Sequence, residues 1–120
     1  MEYNELLSNR VRELLSGQTL VEEKKMFRSL CFMVNDKMCI CVSDHDLLCR
    51  IGKQEAAKEL EKGNCQQMIN NGRVMKDFVF VSSDDVKTAK DLEYWVAISL
   101  DFNKKAKTSK KRKKLNTDVL

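Results

Sequence analysis

Leu30-Cys31-Phe32-Met33-Val34-Asn35-Asp36-Lys37-Met38-Cys39-Ile40-Cys41-Val42 decides the fold. Two apolar runs flank Asn35-Asp36-Lys37, and Asn and Asp tolerate the backbone angles of tight turns. Short apolar runs bounded by such residues read as strands. A second turn at Ser43 to Asp46 leads to a third run, Leu47 to Ile51, which Gly52 ends. Three short strands joined by tight turns make an antiparallel meander. Period two then assigns the faces. Leu30, Phe32 and Val34 point one way, and Cys31 and Met33 the other. Met38, Ile40 and Val42 oppose Cys39 and Cys41. Both faces are apolar, so helices are expected on one face and a cover or a partner on the other.

Residues 3 to 15 read as a helix, with Leu6, Leu7, Val11, Leu14 and Leu15 at helical spacing and Gly17 as a stop. Residues 20 to 26 are ambiguous; Leu20 and Val21 suit the start of a short strand leading to Met26. After the meander, Lys53 to Lys62 predicts a second helix with Ala56, Ala57 and Leu60 inward, broken by Gly63-Asn64. Cys65 to Ile69 is a weak strand. Asn70-Asn71-Gly72 is a strong turn signal, and Phe78 to Val81 is the last clear strand. Ser82 to Asp85 reads as a loop. Thr88 can cap a final helix, with Asp91 three residues on. Leu92, Trp95, Val96, Ser99 and Leu100 share one face of that helix, widened by Tyr94, Ile98 and Phe102. The expected fold class is α+β, two-layer, an antiparallel sheet with helices in the order α-β-β-β-α-β-β-α.

The charge comes in two parts. From Lys104 to Lys114 there are eight Lys or Arg and no acid, whereas the first 103 residues carry 14 basic and 17 acidic side chains. The body is therefore mildly acidic, and the formal net charge of +4 belongs to the last stretch. A wholly basic nucleic-acid-binding surface is excluded. The expected organisation is one α+β domain over 1–103 and a basic, disordered tail over 104–120. With 4 Gly and no Pro, linkers and repeats are not expected. The polar start, Glu2, Asn4 and Glu5, is not a signal peptide, and no apolar run approaches a membrane span. A cytoplasmic protein is the expectation.

Five cysteines, at 31, 39, 41, 49 and 65, read as reduced and mostly buried thiols. On a strand Cys39 and Cys41 share a face, and Cys31 or Cys49 can lie across from them, so a metal or disulfide cluster is conceivable there. Zinc knuckles space their ligands around a turn, and these do not. His45 sits between Asp44 and Asp46 on a turn, where all three are expected to be solvated. No phosphate-binding glycine loop or dinucleotide fingerprint is present. No catalytic residue, metal ligand or cofactor is assigned.

The run Lys25-Met26-Phe27-Arg28-Ser29, continuing through Leu30 to Met38, resembles the TfoX N-terminal domain family (TfoX/Sxy). The family pattern there is a basic residue, Met-Phe-Gly-Gly, an apolar strand, a turn and Lys-Met. Gly72-Arg73-Val74-Met75-Lys76-Asp77-Phe78-Val79-Phe80-Val81 resembles its second block, and Asp91-Leu92-Glu93-Tyr94-Trp95-Val96 its closing helix. The resemblance implies a small α+β domain of competence-regulator type, without catalytic residues to carry over. Arg28-Ser29 departs from the family's Gly-Gly, a position where glycine gives access to positive φ. The expectation is that a different local backbone path suffices here. The implied role is a non-enzymatic regulatory or adaptor domain acting on a protein partner or as a homodimer, with Lys25, Met26, Phe27 and Arg28 as partner-binding candidates. One alternative is weak, sequence-indifferent nucleic-acid binding through Lys104, Lys105, Lys107, Lys110, Lys111, Arg112, Lys113 and Lys114. Another is an enzyme with a Cys nucleophile.

Overall fold

The computed structural model describes residues 3–26 and 28–106. Phe27 and residues 107–120, with Lys107, Lys110, Lys111, Arg112, Lys113 and Lys114, lie outside the described residues. The first helix, α1, is Glu5–Leu14. Asn4 caps it, its Oδ1 accepting the Leu7 N–H at 3.0 Å. Leu7, Val11 and Leu15 recur every fourth residue and are buried. Leu6 lies off that row and is 72% exposed, so the expected stripe is narrower by one leucine.

Six antiparallel strands follow: β1 (Val21–Met26), β2 (Ser29–Val34), β3 (Lys37–Val42), β4 (Asp46–Arg50), β5 (Gln66–Asn70) and β6 (Arg73–Ser82). They form one sheet in the order β1-β2-β3-β4-β6-β5. The α+β class and the antiparallel sheet stand as expected. The structure adds β1, the ambiguous stretch, which carries Glu22-Glu23-Lys24-Lys25 at a sheet edge, where charge discourages pairing with a further strand. The Arg12 guanidinium holds the Glu23 carboxylate at 2.5 and 2.7 Å and ties α1 to this edge.

Turn chemistry sets the hairpins. Asn35 and Asp36 have φ of 54° and 65°, the paired positive values of a two-residue turn whose twist matches the strands. Asn71 and Gly72 repeat this between β5 and β6, with φ of 54° and 75°. β2 and β3 pair Phe32 with Ile40 but Met33 with Met38, leaving Cys39 as an extra residue. The expected alternation along β3 therefore breaks. Cys39 packs with Ile40 in the core, whereas Met38 pairs with Met33, which lies outside that core cluster.

The second helix, α2, is Lys53–Lys62, between Gly52 at φ 90° and Gly63 at φ 79°. A Cβ on Gly52 would stand 2.5 Å from the Phe102 ring, so both its conformation and this contact require glycine. Ala56 and Glu59 are the buried residues of α2, and Ala57 is exposed, contrary to expectation. The loop at Ser82 to Asp85 tightens into a 3-10 turn, Ser83–Val86, that buries Val86. The last helix, α3, is Ala89–Asn103, and Thr88 Oγ1 accepts the Asp91 N–H at 3.1 Å.

One core cluster takes Leu7, Val11 and Leu15 from the α1 region, Ala56 from α2, and Leu92, Trp95 and Val96 from α3. Trp95 is 4% exposed. The sheet contributes Leu30, Phe32, Ile40, Val42, Leu47 and Val81, among others, to the same cluster. Cys31, Met33 and Cys41 are buried yet do not belong to it. All three helices thus cover one face, and no described helix packs on the other.

Candidate functional site

Register defines the helix-free face. Cys31 faces Cys41, Cys41 faces Leu48, and Leu48 faces Phe80, a row running across β2, β3, β4 and β6. Arg50 and Phe78 pair one step along. Leu48, Phe78 and Phe80 are all half-buried. The edge of this face is finished by Ser29 and Ser43, whose hydroxyls lie 2.9 Å apart. It is a mixed aromatic, thioether and thiol surface with few charges near its centre.

The β1–β2 turn lies at one corner. Met26 pairs with Ser29, so it belongs to the helix-free face, whereas Lys25 pairs with Leu30 of the helix-covered face. Of the four partner candidates, Lys25, Met26 and Arg28 are described and are not brought onto one surface. Arg28 adopts φ 71°. The left-handed conformation that glycine would take without penalty is thus occupied here by arginine, at a cost of about 1–2 kcal/mol.

Three of the thiols, Cys39, Cys49 and Cys65, are not activated nucleophiles. Burial pushes Cys39 up to about 12, and Arg50 offsets this only partly. Burial likewise takes Cys49 to about 12 and Cys65 to about 11. Thiols with such values are protonated near neutral pH and are poor nucleophiles. Cys31 differs: a hydrogen bond with Cys41 lowers it, and the same bond together with burial raises Cys41. The Arg50 guanidinium is held between two rings, 5.6 Å from the Phe78 centroid and 5.7 Å from that of Phe102. His45 and Asp44 are solvated, as expected, with Nε2 3.4 Å from Oδ2 and side chains 87% and 60% exposed. Burial raises the Asp46 carboxyl, and His45 counters it.

Two features escape a reading of residue types alone. Glu59 is fully buried, and its carboxylate accepts from Tyr94 Oη, from Asn64 Nδ2 at 3.0 Å and from Lys62 Nζ at 3.2 Å. Burial alone would raise this carboxyl, but the three hydrogen bonds and the lysine outweigh it and hold it below its ordinary value. Its spacing three residues after Ala56 is the signal for an inward position. The second feature is the facing of Cys31 and Cys41, which depends on register. A cleft beside the start of α2 is lined by Lys53 and Lys105 but also by Asp77 and Asp101, so it offers no field of one sign. Lys104 and Lys105 are exposed just beyond α3. No cluster of three or more metal-ligating side chains occurs among the described residues. No helix of the described residues is long and apolar enough to cross a membrane.

No curated protein and no solved structure gives a significant match to this chain. Residues 13–103, which span β1 to β6 and all of α2 and α3, match the TfoX N-terminal domain. The hairpins, the closing helix and the sheet order described above fall within that match. The chain therefore belongs to the TfoX N-terminal domain family.

Proposed function

We propose that this chain is a regulatory or adaptor domain that binds a protein through its helix-free sheet face, with Met26 at the corner of the contact and Lys25, Phe27 and Arg28 as the neighbouring candidate residues of the same run. The carrying observation is the one-sided cover: all three described helices feed a single core, and the row from Cys41 through Leu48 to Phe80 has no described helix above it. Half-buried aromatic and aliphatic side chains in a continuous row are the material of a protein contact. A second copy of the chain is one such partner; a cytoplasmic setting is part of the reading.

A second reading rests on Lys104 and Lys105, exposed at the end of α3 where the basic run begins. In it, Lys104 to Lys114 contact nucleic-acid phosphates as a tail separate from the domain, giving salt-sensitive binding without sequence preference.

One series tests both. Leu48→Glu places a charge at the centre of the helix-free row, and Leu6→Glu places one at an exposed helical position. Sedimentation and quantified recovery of bound protein from extract should both fall for Leu48→Glu and stay unchanged for Leu6→Glu, with circular dichroism confirming the fold of each. Equal recovery and equal sedimentation for the two variants would sink the sheet-face reading. Changing Lys110, Lys111, Lys113 and Lys114 to Gln should abolish DNA binding at low salt and leave protein recovery intact; unaltered DNA affinity would remove the tail reading.

A further inference from the structure

We propose that Cys31 and Cys41 are a thiol–disulfide site, closing to an intramolecular cross-strand disulfide when the chain meets a low-molecular-weight disulfide. The two residues stand directly opposite each other on β2 and β3. Facing residues of an antiparallel pair hold their Cβ atoms about 4.5–5.5 Å apart, so a modest closure reaches disulfide geometry. The kind of pair also suits the bond. The two-residue turn makes Val34–Lys37 a hydrogen-bonded pair, and pairs alternate from there through Met33–Met38 and Phe32–Ile40. Cys31–Cys41 then falls on the non-hydrogen-bonded kind, where side chains stand closer.

Their facing positions couple the two thiols: the interaction with Cys41 lowers the Cys31 thiol, and the interaction with Cys31 together with burial raises that of Cys41. The attacking group and the resolving group are thereby distinguished. Each is only 3% exposed, but both lie outside the cluster shared by the three helices. Access from the helix-free side needs side-chain displacement and leaves the packed core in place. The remaining cysteines are not so placed. Cys49 pairs with Ile40 and Val79, Cys39 is the unpaired extra residue, and Cys65 precedes β5.

The chemistry balances with one external disulfide. The Cys31 thiolate attacks one sulfur of glutathione disulfide, forming a mixed disulfide and expelling one glutathione thiolate. Cys41 then loses its proton and attacks the Cys31 sulfur, expelling the second glutathione thiolate. Two protein thiols are oxidised, one disulfide is reduced, and the two protons reside on the released thiols. The link pins β2 against β3 beside the Cys39 irregularity, and it stands whether or not that face binds a partner.

The test incubates the folded full-length chain with glutathione disulfide, blocks remaining thiols under denaturing conditions and maps the peptides. Cleavage after Lys and Arg releases Ser29–Lys37, whose one thiol is Cys31, and Met38–Arg50, which carries Cys39, Cys41 and Cys49. The expected result is a fall from five free thiols to three. A joined peptide pair should fragment to a Cys31–Cys41 bond, with two glutathione thiols released per chain and full reversal by dithiothreitol. Cys65→Ser, at a half-buried position outside the core, should show the same bond with thiols falling from four to two. Five surviving thiols, a link from Cys31 to Cys39 or Cys49, a bond between chains through Cys65, or glutathione retained as a mixed disulfide would each overturn the proposal.

Discussion

The two faces of the sheet are built from neighbouring residues of the same strands, yet they differ in what they touch. The covered face presents Leu30, Phe32, Ile40, Val42, Leu47 and Val81 to Leu7, Val11, Leu92 and Trp95. The other presents Cys31, Met33, Cys41, Leu48 and Phe80, none of which belongs to that cluster. The covered face is mostly aliphatic but also holds Phe32, Cys39 and Cys49, whereas the other sets Leu48 among Cys31, Met33, Cys41 and Phe80. The comparison teaches that burial and membership of the core are separate properties. Cys31 and Cys49 are both buried, but only Cys49 is locked beneath helices.

The largest expected effect breaks the covered side. Trp95→Ala should cost about 3–5 kcal/mol, read as a lowered urea midpoint, because a large cavity opens beneath α3. A loss below about 1 kcal/mol would mean that the helix is not held by this face. Next is the Glu59 clasp between α2 and α3. Glu59→Gln should cost about 1–3 kcal/mol near neutral pH, since the buried hydrogen-bond set loses its charge. The carboxyl is held below its ordinary value, so its stabilisation is fully present above that value. It disappears as pH falls through the lowered one. The two urea midpoints should therefore converge as pH falls below the ordinary carboxyl range, and a constant gap would deny the charge any role. The smallest effect sharpens the corner of the helix-free face. Arg28→Gly should raise stability by about 0.5–1 kcal/mol, relief of the left-handed backbone outweighing the greater chain entropy of glycine. A lower midpoint for Arg28→Gly would show that the arginine side chain makes compensating contacts.

Much of this fold is readable where local signals agree. Gly52 and Gly63 bracket Lys53–Lys62, and the helix occupies those residues. Thr88 and Asp91 mark the start of α3, and Trp95 sits on its inward face. Asn35-Asp36 and Asn71-Gly72 announce their turns through residues suited to positive φ. β1 is obscured because its four consecutive charges hide the alternation that an edge strand does not need. The turn before β2 is obscured because Arg28 takes a conformation that its residue type does not advertise. The sequence goes no further than Cys31 or Cys49 lying across from Cys39 and Cys41; that Cys31 meets Cys41 depends on one inserted residue, Cys39, and no local propensity specifies an insertion. Lys25, Met26, Phe27 and Arg28 are contiguous in sequence, but strand pairing sends Met26 and Lys25 to opposite faces.

Asn103 closes α3 by donating from Nδ2 to the Val34 carbonyl at 3.1 Å, and Lys37 Nζ reaches the Asn103 carbonyl at 2.8 Å. Those two bonds form a rivet between the end of the helix and the tip of the β2–β3 hairpin. Tension arriving from the C-terminal side would load that rivet before it reached the interior. The hairpin that carries Cys31 and Cys41 is therefore mechanically upstream of the core for anything that pulls on the basic run.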